Sequence, residues 1–228
     1  MNNAASVLIY SCDKYSDVWK PFFTLFWRYW DCPFPVYLAT ETKKYEDLAV
    51  TTINKQADTW TERMKATVDE IPTKYVIGMC EDFFFRRKVK QAQIYDCMEI
   101  MERDERIANF NFEKDYDGAD GDYYAGYGLK PKGRNYQKSC QPTLWRRSIL
   151  SELLDVKLDP WQWETSETPE KYDYYVYTGS LDNLVFQYGL IDHNPFGIVK
   201  GKWVEEDVKP LFRKEHIDID LNERGILK

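Results

Sequence analysis

Short apolar runs alternate with longer amphipathic stretches along the first half of the chain. The apolar runs have the length and the β-branched or aromatic content of strands, and they occupy residues 7–10, 36–40, 50–54, 75–85 and 107–112. The amphipathic stretches predict helices over residues 18–30, 60–71 and 89–103. In the first of these helices, Asp17 is a candidate N-cap and Pro21 would lie in the first turn. This alternation predicts an α/β fold with a mostly parallel central sheet flanked by helices on both faces.

The pattern changes after residue 112. Residues 113–135 are rich in glycine, aspartate and tyrosine and lack periodicity, which predicts a long functional loop. The later predicted elements are a strand within 139–145, a helix at 146–154, a strand at 174–177, a short helix near Leu184 and a strand-like segment at 197–203. Because no repeat or clear boundary interrupts the chain, we predict one domain. Its nucleotide-binding half would be residues 1–112, and residues 113–228 would form a C-terminal elaboration.

The end of the fourth predicted strand carries the most informative pattern. An apolar run stops at Glu81-Asp82 and then resumes as three phenylalanines, residues 83–85. Burying an unpaired carboxylate costs several kcal/mol, so the pair is expected where the strand emerges at the carboxyl edge of the sheet. Open α/β sheets bind ligands at that edge. The pair could hold a divalent metal or contact a sugar there, or it could be a solvated strand end.

Composition and charge narrow the classes of function. The chain has 228 residues and a net charge of −7, which argues against a nucleic-acid partner because such proteins neutralise phosphates with basic residues. The five cysteines are scattered without a Cys-x-x-Cys pair, which favours reduced thiols in a cytoplasmic protein. The N-terminus does not resemble a signal peptide, and no apolar run is long enough to span a bilayer. A soluble cytoplasmic protein is expected, and peripheral association with the inner face of the membrane stays open as an alternative.

Motifs for several enzyme classes are missing from the sequence. There is no Gly-x-Ser-x-Gly elbow and no phosphate-binding Gly-x-x-x-x-Gly-Lys-Ser/Thr loop. The two histidines, His193 and His216, are far from any predicted nucleophile, and His193 lies in a turn-like polar segment. Hydrolase, kinase and dehydrogenase functions are therefore disfavoured.

Several segments, taken in order, resemble bacterial glycosyltransferases of the GT-A fold that assemble surface polysaccharides of the capsular or lipopolysaccharide type. The segments that carry this resemblance are Ser11-Cys12-Asp13, Trp60 with Arg63, Glu81-Asp82, and residues 141–145, 160–164 and 201–203. The resemblance covers most of the chain and implies transfer of a sugar from a nucleotide-sugar donor to a glycan or lipid-linked acceptor, with an inverting displacement preferred over a retaining one. A UDP-sugar is the expected donor.

The resemblance assigns a donor role to six residues. Glu81 and Asp82 occupy the place of a D-x-D-like motif and would bind Mn²⁺ or Mg²⁺, although Phe83 stands where a second aspartate is usual. The other expected donor-binding residues are Ser11, Asp13, Arg63 and Lys202. Lys202 would bind the diphosphate in a metal-independent enzyme. Each of these four side chains could instead have a purely structural role in a turn, a cap or a helix surface.

The acceptor side is assigned to the segments after the glycine-rich loop. Glu164 is the candidate general base, since an inverting transfer needs a carboxylate to deprotonate the acceptor hydroxyl, and Asp159 is the reserve candidate. The expected acceptor-binding residues are Gln141, Trp145, Trp161 and Trp163. In the alternative interpretation the acid stabilises a helix N-terminus and the tryptophans fill the core.

Two other classes of function stay open. A sugar nucleotidyltransferase shares the α/β layout, but it would carry a glycine-rich loop with Lys or Arg after the first strand, and residues 10–15 contain no glycine. A non-catalytic glycan-binding or scaffold protein on a decayed transferase fold would explain the incomplete acidic motif. Binding of UDP with and without Mn²⁺ would distinguish these possibilities. The oligomeric state is not indicated by the sequence.

Overall fold

The computed structural model describes residues 4–115, 118–124, 126–188 and 197–227, so the predicted turn around His193 lies outside the described residues. The chain divides into two compact units, each described here by itself. The sheet unit comprises Met1–Asp13, Pro33–Cys80 and Lys90–Val185. The aromatic unit comprises Lys14–Cys32, Glu81–Val89 and Phe186–Lys228. The assignment of a single domain with a donor half and an acceptor half stays a prediction.

The sheet unit is built on one large sheet. Its strands are β1 (Ala5–Tyr10), β2 (Val36–Thr40), β3 (Val50–Asn54), β4 (Tyr75–Cys80), β5 (Ile107–Lys114), β6 (Tyr127–Leu129), β7 (Thr143–Arg146) and β8 (Asp173–Tyr177). Their spatial order is β3-β2-β1-β4-β7-β5-β8-β6. Six strands run in one direction, and only β6 and β7 run in the opposite direction. The predicted α/β fold with a mostly parallel sheet is confirmed.

The helices of the described residues complete the two units. They are α1 (Ser16–Tyr29), α2 (Trp60–Glu70), α3 (Gln91–Arg103), α4 (Arg147–Leu153), α5 (Pro160–Thr165), α6 (Glu205–Lys214) and α7 (Leu221–Arg224). Helices α2, α3, α4 and α5 belong to the sheet unit. No helix in the described part of the chain has the length and apolar character needed to cross a membrane.

Both faces of the sheet are covered by helices of the same unit. On one face, Trp145 of β7 is fully buried in a cluster with Val68 of α2, Leu150 of α4 and Trp163 of α5. Successive side chains of a strand point to opposite faces, so Leu144 and its register partner Phe110 face the other side. There the Phe110 ring packs on Tyr127, whose hydroxyl lies beside the Cys97 thiol of α3. The prediction of helices on both faces is confirmed.

Most predicted element boundaries agree with the structure to within two residues, and β2 and β3 agree fully. The fourth strand ends at Cys80 and does not continue to residue 85. The acid pair and the three phenylalanines that follow Cys80 are part of the aromatic unit. The predicted loop at 113–135 contains the short strand β6. The helix expected near Leu184 is a single 3₁₀ turn at Leu181–Asn183. No disulfide joins the five cysteines, all of which are described.

The start of α1 differs from the prediction. The helix begins at Ser16, its N-cap position is Tyr15, and no side chain caps it. Asp17 lies inside the first turn, where its carboxylate binds Arg224 instead of backbone N–H groups. Pro21 is the sixth helical residue and therefore lies past the first turn. The N-cap prediction was wrong because the Asp17 carboxylate binds Arg224, a partner about two hundred residues away that no local pattern shows. The prediction for Pro21 was wrong because the helix begins two residues earlier than predicted.

The aromatic unit owes its core to the three phenylalanines that follow the acid pair. The Phe84 ring contacts Trp203 and Phe212, and the Phe85 ring stacks on Phe26 of α1. A two-stranded hairpin, β9 (Ile198–Val199) and β10 (Lys202–Trp203), precedes α6 in this unit. The phenylalanines therefore pack in the core of the aromatic unit, and this packing holds the chain segment that contains Glu81 and Asp82.

Candidate functional site

Asp13, at the exit of β1, organises a neighbouring loop. Its carboxylate accepts hydrogen bonds from the backbone N–H groups of Thr42 (3.1 Å) and Lys43 (3.0 Å) and from the hydroxyls of Thr40 (3.1 Å) and Thr42 (2.5 Å). Burial alone would raise the pKa of Asp13, but these hydrogen bonds outweigh it and hold that pKa far below its usual range. Asp13 is thus ionised and engaged with the loop after β2.

Arg63 is directed to the same strand exit. Arg63 lies in the first turn of α2, and its side chain is only 7% exposed. Its Nη1 donates a hydrogen bond to the Ser11 carbonyl at 2.8 Å. Nη2 lies 3.4 Å from Oε1 of Glu41, whose Oε2 accepts the Asp13 N–H at 2.5 Å. The structure therefore brings Ser11, Asp13 and Arg63 together, as expected for a binding site. It also adds Glu41, which carries no sequence signal of its own.

A row of residues crosses the carboxyl edge of the sheet next to this exit. Gly78 of β4 and Asn111 of β5 both pair with Thr143 of the intervening strand β7. Continued two residues beyond these pairs, which in the antiparallel β7 means two residues before Thr143, the same register would bring Gln141 opposite Cys80 on one side and Glu113 on the other. The Phe112 N–H donates to the Pro142 carbonyl at 2.9 Å, so the pairing extends to this point.

Glu113 was not among the residues predicted from the sequence. Its Oε1 accepts the backbone N–H of Lys114 at 3.0 Å, and its Oε2 is shielded from water without a hydrogen-bond partner among the described residues. Burial raises the pKa of Glu113 to about 7. One sequence signal could have identified it. Glu113 is an acidic residue directly after the predicted strand 107–112, in which asparagines alternate with phenylalanines.

Glu164 reaches the same edge from α5. Its Oε1 accepts the Cys140 N–H at 2.7 Å and lies 3.3 Å from the Ser139 hydroxyl. Burial raises the pKa of Glu164, while the two hydrogen bonds and the positive charge of Lys130 partly oppose the shift. A half-buried carboxylate with a raised pKa can take up a proton near neutral pH more readily than an exposed glutamate.

Asp159 has a different position in the same helix. Its side chain accepts the backbone N–H of Gln162 at 2.9 Å, and the Gln162 side chain accepts the Asp159 N–H at 3.1 Å. This reciprocal capping box starts α5. Glu164 is the fifth helical residue, so the alternative that placed it at the helix N-terminus was wrong.

The tryptophans predicted for the acceptor side separate into two groups. Trp163 and Trp145 are fully buried with ring centroids 5.9 Å apart, and the Trp163 indole N–H donates to the Leu153 carbonyl at 2.9 Å. Trp161 is 74% exposed on the opposite side of α5. Gln141 is half-buried and accepts a hydrogen bond from Ser139. Trp161 and Gln141 are accessible to a ligand, whereas Trp145 and Trp163 are core residues.

The acid pair directly follows β4 in the chain. Glu81 is buried, Asp82 is half-buried, and their ligand oxygens lie within 4.8 Å of each other. Burial raises the pKa of Asp82 to about 7, although the charge of Arg224 partly opposes this shift. Carboxylate oxygens are the ligands preferred by Mg²⁺ and Mn²⁺, and a bound cation would offset the cost of burying these charges. The pair therefore fits a hard divalent cation.

Arg224, in the aromatic unit, is another residue that sequence patterns did not single out. Its Nε donates to Asp17 at 3.0 Å, its Nη2 binds Asp17 and the Lys14 carbonyl, and its guanidinium lies 4.2 Å above the Tyr15 ring. Its charge also acts on Glu81 and Asp82. Lys202 in β10 is exposed to solvent.

No protein-family model matches the chain, and no curated protein is similar to it. Among solved structures, the bifunctional IspDF from Campylobacter jejuni has a TM-score of 0.41 and 13% identity over 68% of this chain and 44% of its own. S. aureus TarS 1-349 has a TM-score of 0.42 and 11% identity over 76% of this chain and 60% of its own. A 4-diphosphocytidyl-2C-methyl-D-erythritol synthase has a TM-score of 0.43 and 11% identity over 82% and 94%.

The chain thus spans less than two thirds of the first two of these structures. All three TM-scores are below 0.5, so the similarities carry no inference about function. The chemistry of the site is therefore taken from the chain's own residues.

Proposed function

We propose that the protein is a glycosyltransferase that moves a sugar from a UDP-sugar to a glycan or lipid-linked acceptor with inversion at the anomeric carbon. The single observation that carries this proposal is the position of Glu164. Its half-buried carboxylate is fixed at the carboxyl edge of the sheet by the Cys140 N–H, and its raised pKa suits a general base.

In the proposed reaction the acceptor hydroxyl oxygen attacks the anomeric carbon of the donor. The bond between that carbon and the diphosphate oxygen breaks, UDP leaves with the bonding electrons, and the hydroxyl proton passes to Glu164. Asp159 is the reserve base, but its use as the N-cap of α5 supports the choice of Glu164.

The nucleoside is assigned to the exit of β1. The buried guanidinium of Arg63 fixes the Ser11 carbonyl, and Asp13 fixes the adjoining loop through four hydrogen bonds. A preformed loop of this kind lowers the ordering cost of binding a ligand. In this proposal Arg63 and Asp13 act by shaping the site rather than by direct contact with phosphate.

Glu81 and Asp82 would hold Mn²⁺ or Mg²⁺ in this proposal. A divalent cation bound there would neutralise charge on the diphosphate leaving group. Lys202, exposed in β10, is the alternative diphosphate contact. On the acceptor side, the exposed Trp161 ring offers a stacking surface for a sugar, and Gln141 offers an amide for its hydroxyls. Bacterial surface polysaccharide at the cytoplasmic side of the membrane is the proposed biological setting.

The test compares wild-type protein with E164Q. Titration with UDP, with and without Mn²⁺, should give the same affinity for both proteins, because Glu164 is assigned to the acceptor. Release of UDP from a UDP-sugar in the presence of acceptor glycans should fall at least a hundredfold in E164Q. The exposed Glu170, changed to Gln, is the matched control and should leave turnover unchanged. Full turnover by E164Q would exclude Glu164 as base, and no UDP binding by the wild type would reject the transferase.

A further inference from the structure

The side chains of β5 separate into an aromatic face and a polar face. Phe110 and Phe112 both contact the Tyr127 ring. Alternation along a strand therefore directs Asn109 and Asn111 to the opposite face. On that face lies the row that crosses the carboxyl edge of the sheet.

A register shift at the end of β5 sets the position of Glu113. Asn111 pairs with Val176 of β8, but the next paired residue is Lys114, so Phe112 and Glu113 have no partner in β8. The Asn111 side-chain oxygen accepts the Glu113 N–H at 2.9 Å and stabilises this local irregularity. Irregularities of this kind re-aim side chains, and they are common beside functional sites.

The charged and titratable groups around Glu113 are engaged elsewhere. Lys114 Nζ binds the Thr178 carbonyl, and the Tyr177 hydroxyl donates to the Ser180 carbonyl at 3.2 Å. Asp115 accepts the N–H groups of residues 118 and 119.

On the β7 side the titratable groups are Cys80, Cys140 and Glu164, and Glu164 accepts the Cys140 N–H. The influences on the pKa of Glu113 are burial, which raises it, and the Lys114 N–H, which lowers it. A buried carboxylate oxygen without a donor costs free energy unless a ligand supplies one.

We propose that Glu113 Oε2 accepts a hydrogen bond from a hydroxyl group of the donor sugar, an inference that rests on the proposed function. The exit of β1 and the end of β5 are three strand spacings apart, about 14 Å along the edge of one sheet. A nucleotide-sugar whose nucleoside lies at Ser11 and Arg63 would extend along the row past Cys80 and Gln141. Its sugar hydroxyls are the donors that the shielded oxygen lacks.

This contact couples sugar binding to a proton. A hydroxyl donor stabilises the ionised carboxylate, and Glu113 has a pKa of about 7 without ligand. Binding of a UDP-sugar at pH 7 should therefore release slightly less than half a proton, and its affinity should rise with pH by up to about tenfold in total between pH 5.5 and 8. UDP alone exchanges protons through its own terminal phosphate, which titrates near pH ~6, so proton exchange on UDP binding should be the same in the wild type and in E113Q.

The experiment is calorimetric titration of the full chain with UDP, UDP-glucose and UDP-N-acetylglucosamine in buffers of different ionisation enthalpy between pH 5.5 and 8.5. E113Q should keep UDP affinity, lose the proton release seen with the UDP-sugars, and bind them about tenfold more weakly at pH 8. Glu105, exposed at the other end of β5, supplies the matched control E105Q, which should behave as the wild type.

The outcomes separate the two proposals. Proton release by E113Q on binding the UDP-sugars equal to that of the wild type, or a wild-type UDP-sugar affinity that does not change between pH 5.5 and 8.5, would overturn the role of Glu113 and leave the transferase intact. Failure of every nucleotide to bind would overturn both. If E113Q does not fold, the pH dependence of UDP-sugar affinity in the wild type decides the question.

Discussion

The ring of Tyr10 in β1 lies across Gly78 in β4, so that a Cβ atom added at Gly78 would lie 2.0 Å from the Tyr10 hydroxyl oxygen. A glycine inside a strand often marks such a close approach. Both residues are in the interior of the sheet, where neighbouring backbones cannot separate cheaply. Tyr10 is 3% exposed, so its ring cannot move into solvent.

G78A should therefore destabilise the protein by about 3 kcal/mol, at the upper end for overpacked cores. Urea unfolding followed by circular dichroism measures the change. The control is the same substitution in a Y10A background, where the clash is gone and the added cost should fall below about 1 kcal/mol. An undiminished cost in that background would assign the effect to the backbone rather than to Tyr10.

Asp207 in α6 should limit stability at neutral pH. It is 1% exposed, and neither of its carboxylate oxygens has a hydrogen-bond partner within the described ranges. Burial, with a smaller contribution from the charge of Glu206, raises the pKa of Asp207 from 3.8 to about 6. Folding therefore favours the protonated form, and the stability that this residue contributes is present below pH 3.8 and lost as the pH rises through 6.

D207N should accordingly be more stable than the wild type by about 1–2 kcal/mol at pH 7.5. The difference should shrink towards zero near pH 4. Denaturant unfolding at a series of pH values measures it, and E206Q, in the same helical turn but exposed, should change stability by less than about 0.5 kcal/mol. A D207N advantage that does not depend on pH would show that the Asp207 carboxylate does not titrate as described.

Local patterns predicted the parts of this molecule that local physics controls. The apolar and β-branched runs at residues 36–40 and 50–54 predicted both β2 and β3 with their observed bounds. The α/β class followed from the alternation of elements. Ser11 and Asp13 were expected at the exit of β1, whereas the contact of the Arg63 guanidinium with the Ser11 carbonyl was not predicted.

The features that sequence patterns missed depend on long-range pairing. Nothing local indicates that β7 inserts antiparallel between β4 and β5, and that insertion alone places Gln141 beside Glu113. Arg224 likewise appears as one more charge near the C-terminus until its contacts with Asp17 and Tyr15 are known. Sequence patterns also did not show which tryptophan side chains of α5 are buried. Trp163 is in the core, whereas Trp161 is exposed to solvent.

Arg224 and Asp17 should form a stabilising pair in the aromatic unit. Their side chains are only 9% and 16% exposed, so the pair is shielded from water, unlike a typical surface salt bridge. R224M leaves the Asp17 carboxylate without this partner and should cost about 3 kcal/mol. Urea unfolding at low and high salt tests this, since a shielded pair should lose little at high salt.

R224K is the matched control, because lysine keeps the positive charge but lacks the planar guanidinium group with its several N–H donors. It should recover less than half of the loss, because a lysine cannot bind both Asp17 oxygens and the Lys14 carbonyl in the same geometry. Full recovery by lysine would mean that charge alone, and not the bidentate geometry, stabilises this end of the chain.

Trp161 and Trp163 lie two residues apart in α5 and should respond in opposite ways to the same substitution. Trp163 is fully buried and its indole N–H binds the Leu153 carbonyl, so W163A should destabilise the protein by about 4 kcal/mol. Trp161 is 74% exposed, so W161A should leave stability within about 0.5 kcal/mol.

If Trp161 stacks on the acceptor, W161A should raise the KM for acceptor about fivefold without changing the affinity for UDP, since one stacking contact contributes about 1 kcal/mol. W161F, which keeps an aromatic face, should recover most of the loss. Thermal unfolding, UDP titration and acceptor kinetics on the same preparations separate the two roles. An unchanged acceptor KM in W161A would move the acceptor-binding surface away from α5.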